Sequence, residues 1–241
     1  MIKKIGVIGA GTMGHGIAES FAMFGYNVNL YDTNAIQLEK ALNEIKAEQQ
    51  LLVDEAFISA EKAAATLENI SIHTDLQTAV KDRDYVIEAA PENMELKQNL
   101  FKQLDGFCPP HTILASNTSS LSLEPMMALV SEARKQRMMV CHWYNPGHLM
   151  PLAELSFFGN MPADIYQQVA ELYASIAKQT VKVLKDVPGL VANRIQQGVA
   201  REAFSIIEQG IADPIDVDGM TIEIRAVAQW LLEQDGPRSP M

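Results

Sequence analysis

The chain has 241 residues, of which 48% are hydrophobic, enough for one large domain or for a domain with a smaller appendage. Its formal charge of -11 and its pI near 4.9 argue against a nucleic-acid partner, because a phosphate backbone attracts clustered lysines and arginines. The two cysteines, Cys108 and Cys141, lack CxxC spacing, so we expect neither disulfides nor a metal site, in a reduced, cytoplasmic setting. No apolar run approaches the roughly eighteen residues that a membrane span needs, so no membrane partner is expected.

Residues 1–32 predict a strand, a helix and a second strand. An apolar run at 5–8 is followed by glycines, and residues 13–24 are apolar at helical spacing. The segment NVNLY at 27–31 then alternates polar and apolar side chains, as a strand does. The N-terminal segment therefore predicts a βαβ unit.

The turn between the first strand and the helix contains the sequence GAGTMG, whose glycines have GxGxxG spacing. Such glycines let the backbone turn tightly and approach a pyrophosphate, while the helix N-terminus offers free N–H donors. Asp32, at the end of the second strand, is suited to accept hydrogen bonds from ribose hydroxyls, and residues 33–35 offer no cation for a 2′-phosphate. NAD is therefore favoured over NADP as a cofactor. The predicted cofactor-binding residues of this unit are Gly9, Gly11, Thr12, Met13, Gly14 and Asp32.

The following residues alternate helical and strand-like segments. Residues 35–69 are rich in Ala, Glu, Lys, Gln and Leu, and we expect two helices in this long crossover. Further strands are predicted at 70–72, 85–89, 112–116, 137–143 and 180–184. This order predicts an α/β fold with a Rossmann-type, doubly wound and mostly parallel sheet.

Two domains are expected. The α/β domain occupies residues 1–186 and carries the helical pair at about 35–69 as an insertion. From Pro188 onward the apolar residues recur at spacings of three and four, which predicts a short all-helical domain at 187–241.

A histidine and an acid flank the sequence NPGHLM. If RMMVCHW and PLAELSF are strands joined by this turn, His142 and Glu154 lie at equal distances from its middle at His148 and point to the same face. A carboxylate beside an imidazole fixes its tautomer and raises its basicity, which suits a general base for alcohol oxidation. On spacing alone, a buried pair with a purely structural role is equally open.

Five motifs occur in order along the chain: GAGTMGHGIA, VIEAAPENMELK, ASNTSSL, CHWYNP with PLAEL, and VPGLVANRI. Together they resemble the L-3-hydroxyacyl-CoA dehydrogenase family over roughly residues 1 to 220. The resemblance implies an NAD-dependent oxidoreductase of fatty-acid metabolism that interconverts a 3-hydroxyacyl-CoA and a 3-ketoacyl-CoA, with His142 as catalytic base and Glu154 as its partner. It also implies that the substrate oxygens are positioned by Ser119 and Asn193, and that the cofactor or substrate is held in part by Glu92, Lys97 and Asn145.

The helical pair differs in charge from the corresponding segment of the family. Residues 35–69 carry seven acids against Lys40, Lys46 and Lys62, and a net negative surface is a poor clamp for the phosphates of CoA. The turn NPGHLMPLAEL is also closer to a sister branch, the gulonate dehydrogenases and lambda-crystallins. A free 3-hydroxy acid is therefore the alternative substrate.

The C-terminal sequence is the second departure. After IADPIDVDGM the chain continues as TIEIRAVAQWLLEQDGPRSPM, which lacks the rest of the family's helical domain, so we expect that domain to be incomplete. The same domain supplies the family's dimer contact, and a homodimer through the C-terminal helices is the expected assembly. An NAD-binding scaffold with little turnover is the remaining functional alternative.

Overall fold

The computed structural model describes residues 2–158 and 161–218. The strands are β1 (Lys4–Ile8), β2 (Asn27–Tyr31), β3 (Ile70–His73), β4 (Tyr85–Glu88), β5 (Ile113–Ser116), β6 (Met138–Trp143), β7 (Leu152–Ser156) and β8 (Gln179–Val183). The helices are α1 (Thr12–Met23), α2 (Ala35–Asp54), α3 (Ala60–Glu68), α4 (Leu76–Val80), α5 (Met94–Phe107), α6 (Leu123–Met126), α7 (Glu132–Lys135), α8 (Ala163–Ser175) and α9 (Ala192–Glu208).

The strands form one sheet in the order β3-β2-β1-β4-β5-β6-β7-β8. Neighbours run parallel except β6 and β7, which are antiparallel. Parallel neighbours need crossover connections, and each of these contains at least one helix. The predicted α/β fold with a Rossmann-type, mostly parallel sheet is therefore confirmed.

Each face of the sheet buries its own apolar cluster, because successive residues of a strand point to opposite faces. Helices α1, α2 and α8 cover one face with residues such as Phe21 and Leu172. Helices α4, α5 and α6 cover the other with residues such as Val80 and Phe101. Burying one such side chain contributes about 1.5 to 3 kcal/mol, so these two layers hold the strand ends in fixed relative positions.

The predicted helical pair is α2 and α3, in the crossover from β2 to β3. The side chains of Asn34 and Ser59 accept backbone hydrogen bonds in the first turns of the two helices, which defines where each helix begins. Helix α2 buries Leu38, Ala41 and Ile45, which follow one another at spacings of three and four residues. The insertion is thus an amphipathic layer on the sheet.

The chain divides into two compact units. The first ends at Leu190, and the second begins at Val191 and contains α9. The domain boundary near Asp186 stays a proposal, and the part of the helical domain expected at residues 219–241 lies outside the described residues. None of the helices in the described part of the chain is long and apolar enough to cross a membrane.

Candidate active site

The glycine-rich turn lies between β1 and α1. Gly9 has a φ of 101°, a left-handed conformation that favours glycine, and a Cβ on Gly14 would lie 1.7 Å from the carbonyl oxygen of Gly9. Gly11 is the N-cap of α1, and no side-chain hydrogen bond caps the helix there. The first amides of α1 therefore remain available as donors for an anionic ligand.

Asp32 follows β2 at the edge of a cleft of about 830 Å³. Its Oδ2 accepts a hydrogen bond from the Ala10 amide at 2.9 Å, and its Oδ1 accepts one from the Asn34 amide at 3.0 Å. The residues that line the cleft include Gly9, Gly11, Thr12, Met13, Asp32, Thr33, Ala89 and Leu100, and none of its described lining residues is basic. An uncapped helix N-terminus, a glycine cradle and an oriented carboxylate fit the pyrophosphate and ribose of NAD.

His142 and Glu154 face each other across the antiparallel strands β6 and β7. The register pairs the two residues directly, as their even spacing predicts. Nδ1 of His142 lies 3.0 Å from Oε2 of Glu154, and its Nε2 lies 3.0 Å from the Ser119 hydroxyl. His142 is 4% exposed and Glu154 is fully buried. The pair therefore lies in a low-dielectric setting with one imidazole nitrogen directed at Ser119.

Tyr144 is a third residue at this pair. Its hydroxyl donates a hydrogen bond of 2.6 Å to Oε2 of Glu154, and its ring contacts the His142 ring edge-on at 4.6 Å between centroids. Partial burial, reinforced by the hydrogen bond to Glu154 and its negative charge, raises the pKa of Tyr144. The phenol therefore keeps its proton and helps to orient the carboxylate.

Glu92 organises the loop that carries Ser119. It accepts hydrogen bonds from the Thr118 hydroxyl, from the Ser119 and Ser120 amides at 3.2 Å each, and from the Ser120 hydroxyl at 3.0 Å. Partial burial opposes ionisation, but the hydrogen bond from Thr118 and the positive charge of Lys97 lower the pKa of Glu92. Glu92 therefore holds the loop as a carboxylate.

Lys97 is 1% exposed, although its position on a polar helix alone would predict a solvated side chain. Its Nζ lies 2.5 Å from Oε1 of Glu88 and 3.3 Å from Oε2 of Glu92. Glu88 also accepts a hydrogen bond of 2.6 Å from the Ser116 hydroxyl. Lys97 is thus a buried bridge between two acids.

A pocket of about 260 Å³ lies beside this network. Its lining includes Glu92, Lys97 and Ser119, and it shares Met13 and Ala89 with the larger cleft. The loop that contacts His142 therefore borders the same cavity system as the glycine-rich turn.

Two predicted site residues lie apart from these contacts. Asn145 is exposed in the loop that follows β6. Asn193 is in the first turn of α9, in the second unit, so its role stays a prediction. Cys141, by contrast, is fully buried, and burial raises its pKa to about 12, as expected of a packing residue rather than a nucleophile.

Sequence reasoning missed Glu88, Tyr144 and Asn117 as site residues. Asn117 accepts a hydrogen bond from the Trp143 amide at 2.8 Å and so ties the serine loop to β6. Two signals could have found the others. Glu88 is an acid at the end of a wholly buried strand, and Tyr144 follows His142 by two residues and so shares its side of the strand.

The chain was compared with known proteins. It is 36% identical to 3-hydroxyadipyl-CoA dehydrogenase of Escherichia coli over 90% of this chain and 45% of that protein. It is 34% identical to 5-formyl-3-hydroxy-2-methylpyridine 4-carboxylate 5-dehydrogenase of Mesorhizobium japonicum over 90% of this chain and 69% of that protein. The chain thus spans less than half of the first relative's length.

Solved structures and a family model agree with these relatives. The crystal structure of (S)-3-hydroxybutyryl-CoA dehydrogenase from Ralstonia eutropha superposes with a TM-score of 0.85 at 33% identity, covering 93% of this chain and 78% of that one. The family model described as 3-hydroxyacyl-CoA dehydrogenase, NAD binding domain, matches residues 4–187. The chain therefore belongs to the 3-hydroxyacyl-CoA dehydrogenase family and contains its NAD-binding domain.

Proposed function

We propose that this chain is an NAD-dependent dehydrogenase that interconverts a 3-hydroxyacyl-CoA and a 3-ketoacyl-CoA, with His142 and Glu154 acting together as the general base. The observation that supports this most directly is the line of contacts from Ser119 through His142 to Glu154, with 3.0 Å at each step. A general base must first lie within hydrogen-bond reach of the proton it takes, and Nε2 of His142 is directed toward Ser119 at the shared cavity.

In the oxidation direction, Nε2 of His142 takes the proton of the substrate hydroxyl. The glycine-rich turn would hold NAD, which would supply the acceptor for the hydride that leaves the same substrate carbon, and NADH would supply the hydride in the reverse direction. Glu154 accepts the Nδ1–H hydrogen bond, which keeps Nε2 free as the acceptor and stabilises the imidazolium that forms. In the reduction direction the imidazolium returns its proton to the 3-oxo oxygen.

Ser119 and Asn193 are proposed to position the substrate oxygens. A substrate oxygen in contact with both the Ser119 hydroxyl and Nε2 of His142 lies in place for proton transfer, because these atoms are 3.0 Å apart. Asn193 is assigned to the second oxygen from the family motif VPGLVANRI.

The cofactor is proposed to bind along the glycine-rich turn, with its ribose at Asp32. Glu92 and Lys97 support this site by holding the serine loop, and Asn145 is assigned a contact with the cofactor or substrate from the family motif. The residues proposed to line the pyrophosphate site are Gly9, Gly11, Thr12, Met13 and Gly14.

A free 3-hydroxy acid is the second candidate substrate. Lys40, a cation of the helical pair, is 65% exposed and lies 3.6 Å from Glu44, so an acid lies beside this lysine. The Mesorhizobium japonicum relative is named for a free pyridine carboxylate rather than a CoA ester. These two observations favour a substrate without CoA phosphates.

A substrate panel tests the proposal. Purified protein is given NAD with 3-hydroxybutyryl-CoA, a longer 3-hydroxyacyl-CoA and free 3-hydroxybutyrate, and NADH formation is followed. We expect the highest kcat/KM with a CoA ester. A His142→Gln variant, which lacks the general base, is the control. A higher kcat/KM with the free acid would select the second candidate, and NAD binding without turnover of any substrate would leave only a scaffold role.

A further inference from the structure

Three side chains outside the proposed active site converge in a buried cluster. Glu19 comes from α1, Glu48 from α2 and His148 from the loop between β6 and β7. Each offers one ligand atom, and these atoms all lie within 4.8 Å of one another. The side chain of Glu19 is fully buried, that of His148 is 8% exposed and that of Glu48 is 27% exposed.

Within the described residues, the converging atoms have no hydrogen-bond partner, although an ion-pair distance joins His148 to Glu19. Nδ1 of His148 lies 3.0 Å from Oε2 of Glu19 and 3.8 Å from Oε2 of Glu48, yet none of these three buried atoms has a hydrogen bond of good geometry to residues 2–158 or 161–218. The other carboxylate oxygens are held from outside, since Gln49 donates to Oε1 of Glu19 at 2.7 Å and Nε2 of His15 lies 3.3 Å from Oε1 of Glu48. One oxygen of each acid is therefore fixed and the other is directed inward.

A lysine near the cluster is engaged with backbone oxygens. The nearby Lys178 ammonium donates 2.5 Å hydrogen bonds to the Gly147 and Met150 carbonyl oxygens. Two carboxylates and one imidazole thus converge on one another in a largely buried space.

We propose that Glu19, Glu48 and His148 bind one divalent transition-metal cation of the Zn²⁺ class. Two carboxylate oxygens and one imidazole nitrogen are common Zn²⁺ ligands, with three protein ligands leaving a fourth position for water. Bonds of about 2.0 to 2.2 Å in a tetrahedral site place ligand atoms roughly 3.3 Å apart, which the 3.0 and 3.8 Å separations bracket. The ion would fasten α1, α2 and the loop after β6 to one another.

The cluster could not be predicted from cysteine and histidine spacing. Its residues come from three elements that are distant in sequence, and Glu19 and Glu48 lie on helices where acids are usually solvated. The proposal is also independent of the proposed dehydrogenase activity, because none of the three residues lines the cleft or contacts His142 through the described bonds.

Calorimetric titration of ZnCl₂ into untagged, chelator-treated full-length protein tests the site. We expect one saturable site, and loss of affinity by about tenfold or more in Glu48→Gln and in His148→Gln, because loss of even a supporting partner costs 10- to 100-fold. His111→Gln is the matched control, since His111 is an exposed histidine beside Asp84. It should bind Zn²⁺ as the unmodified protein does.

A second readout is thermal unfolding with and without ZnCl₂. Binding to the folded state raises Tm, so the rise should occur in the unmodified protein and disappear in both variants. Metal must displace protons from His148 and Glu48, so affinity should fall as the pH is lowered. Absence of saturable binding, or binding that survives in both variants, overturns the proposal. If His148→Gln does not fold, Glu48→Gln, at the more exposed ligand, decides.

Discussion

At the scale of single residues, His142 and Glu154 are expected to act as one unit. Glu154→Gln keeps the shape of the side chain but removes the negative charge that stabilises an imidazolium. We expect kcat to fall by about 10² to 10⁴, close to the loss in His142→Gln, because both changes disable the same proton transfer. The double variant should lose little more than the worse single variant. Steady-state kcat at saturating NAD for the four proteins measures this, and additive losses would mean that the residues act separately.

Asp32 is expected to make the protein select NAD. A 2′-phosphate close to this carboxylate meets like-charge repulsion of about 1 to 4 kcal/mol at contact distance, so NADPH should bind about tenfold or more weakly than NADH. Asp32→Asn should reduce the difference in affinity between NADH and NADPH. Asp54→Asn, which alters an acid at the end of α2, should leave that difference unchanged. Fluorescence titrations with both cofactors provide the comparison, and equal binding by the unmodified protein would refute this assignment.

The sequence predicts the contacts of some site residues and not those of others. The contact of His142 with Glu154 follows from strand period and an even spacing about the turn. The bridge from Lys97 to Glu88 does not, because it depends on the packing of α5 against β4, and no local pattern reports that packing. The burial of His15, which is 8% exposed, likewise depends on packing between elements, because α2 packs over it.

At the scale of elements, the approach of α1 to the end of β1 depends on Gly14. A methyl group there would lie 1.7 Å from the Gly9 carbonyl oxygen, and backbone must move to admit it. We expect Gly14→Ala to destabilise the fold by about 1 to 3 kcal/mol or more and to weaken NAD binding. Gly106→Ala is the control, because a Cβ at Gly106 in α5 has no neighbour within 4 Å. Urea unfolding and NAD titration of both variants test this, and equal behaviour would contradict it.

The longer elements were predictable and the shortest were not. Strands predicted at 70–72, 85–89 and 137–143 correspond to β3, β4 and β6, and the helical pair corresponds to α2 and α3. Helices α4, α6 and α7 have four or five residues, too few to show a helical period in the sequence. Such single turns form because the surrounding layers fix them, which only the folded chain shows.

At the scale of the whole molecule, net charge should govern how a CoA ester approaches. The chain carries a formal charge of -11, and CoA phosphates are anionic. Added salt shortens the screening length from about 30 Å at 0.01 M to about 10 Å at 0.1 M. We therefore expect KM for a 3-hydroxyacyl-CoA to fall as salt rises over this range. A KM that rises would indicate instead that lysines such as Lys40 and Lys46 hold the phosphates.

The homodimer remains a prediction at this scale. Helix α9 has no buried residue, and it exposes 63% of Ile195 and 66% of Phe204. A second copy of the chain that covers this apolar face would account for the exposure of these two side chains. Sedimentation velocity should show a dimer that Phe204→Glu weakens, and an unmodified protein that sediments as a monomer at all concentrations would exclude it.

The direct pairing of His142 with Glu154 sets which length changes the molecule tolerates. Residues added to the loop at 144–151 would lengthen the connection between β6 and β7 and displace His148. They would leave the register of the two strands unchanged. One residue added between Leu152 and Glu154 would shift the frame of β7 by one and turn the carboxylate to the opposite face. The contact between His142 and Glu154 therefore depends on whether each residue occupies an odd or an even position along its strand, which sets the face of the sheet to which it points. A homologue with a longer or shorter loop here can keep the same contact.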